Sequence, residues 1–345
     1  MPAGPRRPAA SPHSATSNRI LQLTRQILVT GAAGFIGSHC CESLLDRGWR
    51  VVGVDNFDPF YARATKEASL AALTARNGFA FAEDDIRDAG AMTRLVDGCD
   101  TVLHLAALAG VRASIEAPER FASVNVLGTA TLLEACRVAG VRRVVFGSSS
   151  SVYGDTTPAP FREDAPATDP ISPYAASKRA GELLCRVYAH LHGFRIAALR
   201  FFTVYGARQR PDLAIHRFTR LLSERRTVQQ YGDGSTERDY THIDDILLGV
   251  HGALAWVADG EPALEVVNLG ESQTVRLDRL IALISQALGV SPNVEVQGPA
   301  PGDVRHTCAD ISKARRLFGY NPVVNIESGV QRFVDWYRTV PRPRD

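Results

Sequence analysis

An apolar run at 26–30 (QILVT) leads directly into Gly31-Ala32-Ala33-Gly34-Phe35-Ile36-Gly37, and an amphipathic stretch at 36–47 follows. Three glycines at G-x-x-G-x-x-G spacing let a backbone turn tightly, approach a pyrophosphate and seat the next helix on the strand. The N-terminal amides of that helix then face the phosphates. Few architectures accept such a turn between a buried strand and a helix, so the motif predicts a dinucleotide-binding βαβ unit.

The unit repeats. Further runs at 50–54 (RVVGV), 79–82 (FAFA), 101–105 (TVLHL), 142–147 (RRVVFG) and 195–201 (RIAALRF) are nearly continuous in apolar character. Strands covered on both faces read this way. Amphipathic segments at 36–47, 88–97, 119–139 and 173–192 lie between them. Together they predict an α/β fold, a Rossmann-type doubly wound parallel sheet. After residue 205, turn-rich stretches (YGARQRPDL, QYGDGSTERDY, QGPAPGD) interrupt shorter elements, and a helix near 328–338 closes the chain. The expected organisation is a cofactor domain at 26–203, with 241–258 returning to it. A smaller α/β substrate-binding domain is expected from 204–236 and 260–340.

Charge and cysteine usage narrow the class. Residues 1–26 hold Arg6, Arg7, Arg19 and Arg25 and no acid; taking these four from the 39 bases leaves 35 against 37 acids, a net of −2. Such a body has no electrostatic footprint for nucleic acid. No run of about 18 apolar residues exists to cross a membrane. The Pro/Ala/Ser/Arg-rich segment 1–25 lacks the apolar core of a secretory signal; it reads as a disordered extension, with an organelle presequence as the alternative. Cys40, Cys41, Cys99, Cys136, Cys185 and Cys308 show no CxxC pairing and no metal-ligand spacing with the histidines, which fits a reducing, cytoplasmic compartment and no metal.

The second strand ends at Asp55, 18 residues beyond Gly37. A carboxylate there accepts both hydrogen bonds of an adenosine ribose and repels a 2′-phosphate. Asn56 and Phe57 follow and supply no arginine, so NAD is expected over NADP. Asp85 and Ile86, closing the third strand region, can contact adenine. Leu105, Ala106 and Ala107, closing the fourth, lie where a backbone passes close to cofactor. Ordinary packing explains each of these singly as well.

Residues 172–178 read Ser-Pro-Tyr-Ala-Ala-Ser-Lys. Ser172 suits an N-cap and Pro173 the first helical position, so Tyr174 and Lys178, four residues apart, share one helix face. An ammonium and the positive nicotinamide ring favour phenolate, which lowers the Tyr174 pKa toward neutrality and makes a base for a hydroxyl. Of the 39 Lys and Arg only Lys66, Lys178 and Lys313 are lysine, so a compact ammonium at 178 stands out against an arginine background. Strand 142–147 ends in Ser148-Ser149-Ser150-Ser151-Val152-Tyr153-Gly154, at the strand end where an open α/β sheet receives its ligand.

With these residues assembled, the chain from about 26 to 338 resembles an extended short-chain dehydrogenase/reductase of the nucleotide-sugar epimerase branch. GAAGFIG, Asp55, HLAA, SSSSVYG, the Tyr174/Lys178 pair and RDYTHIDD carry the likeness. Three stretches, VDNFDPFY (54–61), HLAALAGVRASIEAPE (104–119) and RFFTVYGARQRPDLA (200–214), are similar to UDP-glucuronate 4-epimerases. The resemblance implies Ser149 as the hydroxyl that binds O4, Tyr174 as base and Lys178 as its support. It implies Ser150, Ser151, Thr203 and Arg210 around a sugar carboxylate, Arg238 on a UDP diphosphate and Asp303 on the ribose. Asn125 joins the expected cofactor contacts. The arginine that many hexose epimerases carry before the GD at 302–303 is absent.

The chemical argument for a uronate rests on Arg210, because a guanidinium pairs a carboxylate through two parallel bonds that a neutral hexose cannot use. Arg112 is a second candidate, and a solvated loop carrying Arg208 and Arg210 is the plain alternative. Related dehydratases and decarboxylases carry an acid before the VYG, where Ser150 and Ser151 stand. A neutral-sugar epimerase acting on UDP-glucose or UDP-N-acetylglucosamine, a decarboxylase, and a non-catalytic NAD-binding protein remain as alternatives. The apolar faces of 119–139 and 173–192 either pair across a two-fold axis in a homodimer or belong to the core.

Overall fold

The computed structural model of the chain describes residues 25–298 and 306–340. The extension expected at 1–25, apart from Arg25, and Asp303 lie outside the described residues.

Strands β1 (Gln26–Thr30), β2 (Arg50–Val54), β3 (Phe79–Ala82), β4 (Thr101–His104), β5 (Arg143–Ser149) and β6 (Arg195–Phe201) coincide within two residues with the apolar runs. They are followed by β7 (Thr203–Tyr205), β8 (Val228–Tyr231), β9 (Glu237–His242), β10 (Ala263–Leu269), β11 (Thr274–Arg276) and β12 (Val294–Gln297). The large sheet runs β10-β6-β5-β4-β1-β2-β3 with every neighbouring pair parallel. Strand order reverses between β1 and β4, where the loops leave toward opposite faces and open a crevice at the strand ends.

The helices are α1 (Phe35–Asp46), α2 (Arg63–Thr74), α3 (Ala89–Val96), α4 (Val111–Glu116), α5 (Pro118–Phe121), α6 (Gly128–Ala139), α7 (Pro173–His192), α8 (Ala214–Ser223), α9 (Ile243–Ala258), α10 (Leu277–Leu288), α11 (Ser312–Phe318) and α12 (Ile326–Thr339). Because successive strand side chains point to opposite faces, Val29 packs with Leu44 of α1, Leu73 of α2 and Ile246 of α9. Leu28 packs on the other side with Met92 of α3, Leu132 of α6 and Cys185 of α7. A separate core gathers Phe218 of α8, Ile284 of α10 and Phe333 of α12 around Tyr240. There β7 lies parallel to β9, β11 lies antiparallel to it, and β8 pairs with β12.

Two features depart from the sequence reading. Residues 263–269, expected within the smaller domain, form β10 and extend the large sheet beyond β6, because Val266, Val267 and Leu269 are buried in its two cores. The helix expected over 119–139 is interrupted by a π-helical stretch at Ala122–Leu127. Its wider turn directs Asn125 inward, where Nδ2 donates to Leu108 O and Ser177 Oγ at 2.9 Å and Oδ1 accepts from Leu108 N at 2.8 Å. By contrast α7 begins as its residues dictate: Ser172 Oγ accepts from Ala175 N at 3.1 Å, Pro173 sits in the first turn, and Gly193 ends the helix at φ +67°.

His104 shows how tightly the crevice is wired. Thr30 Oγ1 accepts from Leu105 N and Ala106 N at 3.1 and 3.0 Å, so its proton goes to His104 Nδ1 at 2.7 Å. The other ring nitrogen donates to Thr129 Oγ1 at 3.0 Å. Burial pushes this imidazole down from 6.5 to about 3 and keeps it neutral. The unfolded chain takes up a proton near 6.5 that the fold refuses, so this contribution to stability is lost as pH falls below 6.5. The slope is about 1.4 kcal/mol per pH unit. Denaturant unfolding at pH 7, 6 and 5 should fall less steeply in His104→Gln than in the parent chain by about that slope. Equal slopes would show that the imidazole titrates freely.

Candidate active site

The glycine turn is dictated by contact. Gly31 adopts φ +72°, and a Cβ there would stand 2.9 Å from Ala106 N; a Cβ on Gly37 would overlap Gly31 O. Gly31 N donates to Val54 O at 2.8 Å and joins the turn to β2. No side chain caps the first turn of α1, which opens at Gly34. Gly31, Gly34, Phe35, Ile36 and Gly37 line a cavity of about 550 Å³ that also takes in Asp55, Asn56, Ile86 and Leu105–Ala107.

At the end of β2, buried Asp55 accepts from Phe57 N at 2.8 Å and lies 3.6 Å from Lys66 Nζ, which donates to Asp58 O at 3.0 Å. Lys66 was not anticipated; its rarity as one of three lysines was the available signal. Asp85 does not line the cavity. Its carboxylate accepts from Arg87 Nε and Nη2 and from Asn56 Nδ2, and the Arg87 guanidinium holds it down at about 2. Asp84 and Ile86 form the wall instead. Asn125 stands behind the wall and braces the β4 loop against α7.

The same cavity reaches Ser149, Ser150, Ser151, Tyr174, Lys178, Thr203 and Arg210. Ser149 Oγ accepts from Ser151 N and donates to Ser151 Oγ, each at 3.1 Å, and Tyr174 lines the same cavity. Lys178 Nζ donates to Gly147 O at 2.7 Å, and burial pushes its ammonium down to about 8. The expected lowering of Tyr174 is not what the protein's own groups produce. Burial pushes this phenol up, while the Ser149 hydroxyl and the Arg210 charge pull it back. Buried ammoniums lose charge for the same reason that buried phenols keep their proton.

Arg210 is only 16% exposed; its Nε and Nη2 donate to Asp212 at 3.1 and 2.9 Å, and its guanidinium lies 5.2 Å from the Phe60 ring centre. It is therefore not part of a solvated loop. Arg112 points elsewhere: exposed, over the Tyr231 ring at 5.1 Å and outside the cavity lining. Arg238, on β9, donates to Glu237 O at 3.0 Å and does not line the cavity.

A buried carboxylate, missed in the sequence, holds this machinery. Glu182, one turn beyond Lys178 and 1% exposed, accepts from Ser148 Oγ at 2.7 Å and from Arg200 Nε and Nη2, each at 2.8 Å. Arg179 adds a fourth bond. An acid on the inward face of a helix was the only sign of it.

Comparison with known proteins agrees with this geometry. The NAD dependent epimerase/dehydratase family matches residues 27–270. A UDP-glucuronate 4-epimerase of Thermodesulfobacterium geofontis is 39% identical over 313 residues, covering 90% of this chain and 95% of that one. The crystal structure of UDP-glucuronic acid 4-epimerase from Bacillus cereus, in complex with UDP-glucuronic acid and NAD, superposes with a TM-score of 0.86. It is 36% identical and covers 91% of this chain and 99% of that one. A dTDP-glucose 4,6-dehydratase from Streptomyces venezuelae, with NAD bound, gives 0.83 at 34% identity, covering 91% and 97%.

Removing Glu182 would leave the Arg200 guanidinium buried without its carboxylate. Glu182→Ala should cost about 3–5 kcal/mol in urea unfolding, and a Glu182→Met/Arg200→Met double variant much less. A single-variant loss under about 1 kcal/mol, the range of exposed pairs, would show the pair to be incidental.

Proposed function

The chain belongs to the NAD dependent epimerase/dehydratase family, and from that premise we propose that it inverts C4 of UDP-glucuronate to give UDP-galacturonate on a retained NAD. The observation that carries the reading is a single cavity. It joins the glycine turn and Asp55 to the Ser149, Tyr174 and Lys178 group and to Arg210.

NAD fits the first part, where the close approach of Gly31 to Ala106 leaves bare backbone facing the cavity and Asp55 offers a buried carboxylate. Bound there, it would supply a reversible acceptor for the C4 hydride. Tyr174 takes the proton of the 4-hydroxyl and returns it after the ketone has presented its other face. Ser149 holds the oxygen within reach of that phenol. Lys178, bonded to Gly147 O, ties α7 to β5, the elements that carry Tyr174 and Ser149 to the same cavity. Arg210 receives the sugar carboxylate, with Thr203, Ser150 and Ser151 beside it. Arg238 and Asp303 are assigned to the diphosphate and ribose of UDP, held by the smaller domain. With hydroxyls at Ser150 and Ser151, the site lacks the acid that chemistry at C5 would need there.

One observation favours a second reading. Asp212 already takes the Nε and Nη2 donors of Arg210, so this charge has a carboxylate partner without a uronate. The two readings separate on substrate. Purified protein with UDP-glucuronate and no added NAD should give UDP-galacturonate by NMR, and Tyr174→Phe should lose about 100-fold or more in rate. A pentose product would make the enzyme a decarboxylase. Inert UDP-glucuronate with conversion of UDP-glucose would select the neutral-sugar reading.

Free thiols at Cys40, Cys41, Cys99, Cys136, Cys185 and Cys308 fit a cytoplasmic location. Among the described residues no helix is long and apolar enough to cross a membrane. Leu183, Val187 and Leu191 make an outward stripe on α7, 50%, 46% and 64% exposed, and Leu127 beside them is 55% exposed. Apolar side chains repeated at this spacing support a homodimer in which α7 and the π-helical stretch pair across a two-fold axis. Sedimentation velocity should give a dimer that Leu183→Asp/Val187→Asp converts to monomer. A monomeric parent chain at micromolar concentration would remove this assembly.

A further inference from the structure

The loop from β7 to α8 carries Arg210 into the cavity, but Arg208, two residues earlier, turns the other way. Its Nη2 donates to Glu42 Oε2 at 2.6 Å and to His39 Nδ1 at 2.8 Å, both on α1. His39 Nε2 in turn donates to Ala207 O at 2.9 Å. One helix thus grips two consecutive residues of the loop. On the other side of Arg208, buried Gln209 donates through Nε2 to Val204 O at 3.0 Å, and its carbonyl meets His216 Nδ1 at 2.6 Å.

The backbone records the constraint. Arg208 sits at φ +63°, a left-handed conformation that an L-residue with a Cβ adopts at a cost. That conformation turns the chain so that Arg208 meets α1 while Arg210 meets the cavity. The helix being gripped is the one that opens at the glycine turn. The position of Arg210 is therefore referenced to the cofactor's own helix rather than to the smaller domain alone.

We propose that Arg208, through its bonds to His39 and Glu42, is the positioning residue that sets the Arg210 guanidinium for the substrate's carboxylate and so determines the preference for a uronate. The inference rests on the reading of Arg210 as carboxylate receptor. Arginine suits 208 because the two N–H groups of Nη2 lie in the guanidinium plane, one aimed at the imidazole and one at the carboxylate, a planar geometry that a lysine ammonium does not reproduce.

The test uses the full chain with its retained cofactor. Michaelis constants for UDP-glucuronate, and calorimetric Kd values for UDP-glucuronate and UDP-glucose, are measured for Arg208→Lys, Arg208→Gly and Glu42→Gln. Arg210→Ala serves as control. Arg208→Gly relieves the left-handed backbone while removing the clamp, and Glu42→Gln perturbs only its outer edge. The expected result is a rise in KM and Kd for UDP-glucuronate of about tenfold in both Arg208 variants, with kcat within about twofold and Kd for UDP-glucose unchanged. Glu42→Gln should shift the same way by less. Equal losses for both sugars, or loss of bound cofactor in step with them, would reduce Arg208 to a support of the fold and overturn the proposal. If Arg210→Ala abolishes the preference while folded Arg208 variants retain it, the clamp is wrong and the carboxylate reading stands. If Arg210→Ala leaves the preference intact, the carboxylate reading fails and takes the clamp with it.

Discussion

The helix that carries Tyr174 and Lys178 is held by one carboxylate that water does not reach. Glu182 ties the helix carrying Tyr174 and Lys178 to Ser148 at the end of β5 and to Arg200 on β6. A lone charge at this depth would be prohibitive, and four hydrogen bonds make it tolerable. The network continues outward. The Arg200 guanidinium lies 4.5 Å from the Tyr153 ring centre, Tyr153 OH donates to Asn268 Oδ1 at 2.7 Å, and Asn268 Nδ2 donates to Phe161 O. Such a chain of polar groups in a dry interior stiffens as a unit and holds α7 against β5 and β6.

Two more buried acids join the smaller unit to the large sheet. Asp239 accepts from Glu271 N, Ser272 N and Ala309 N at 2.7 to 3.0 Å, while burial pushes its carboxyl up. Asp245, in the first turn of α9, accepts from Val323 N and Val324 N at 2.9 and 3.0 Å. Both belong to the RDYTHIDD stretch, in which the sequence reading singled out only Arg238. Carboxylates that gather backbone amides from distant segments act as staples, and that work accounts for Asp239 and Asp245 in this stretch.

Local rules made much of this legible. Apolar runs gave the first six strands of the large sheet because a strand buried on both faces leaves no room for polar alternation. Ser172 and Pro173 marked the start of α7 to the residue, which put Tyr174 and Lys178 on one face as their spacing required. What could not be read depends on partners far along the chain. Nothing near Glu182 announces Arg200, and the π-helical stretch owes its shape to Leu108 and Ser177 as much as to its own residues. Arg112 and Arg210 look alike as candidate carboxylate partners in the sequence. Only the fold turns one over Tyr231 and the other into the cavity.

The place of β1 in the interior of the sheet has a cost in time. It pairs with β2 on one side and β4 on the other, and Thr30 meets His104 across 74 residues of chain. On a ribosome adding about 5–20 residues per second, that interval lasts roughly 4–15 s. Throughout it, an apolar strand made early has one edge of unpaired amides and carbonyls facing whatever is nearby. The pairing that later forms the crevice is thus also the one the nascent chain must wait longest to complete on that edge of β1.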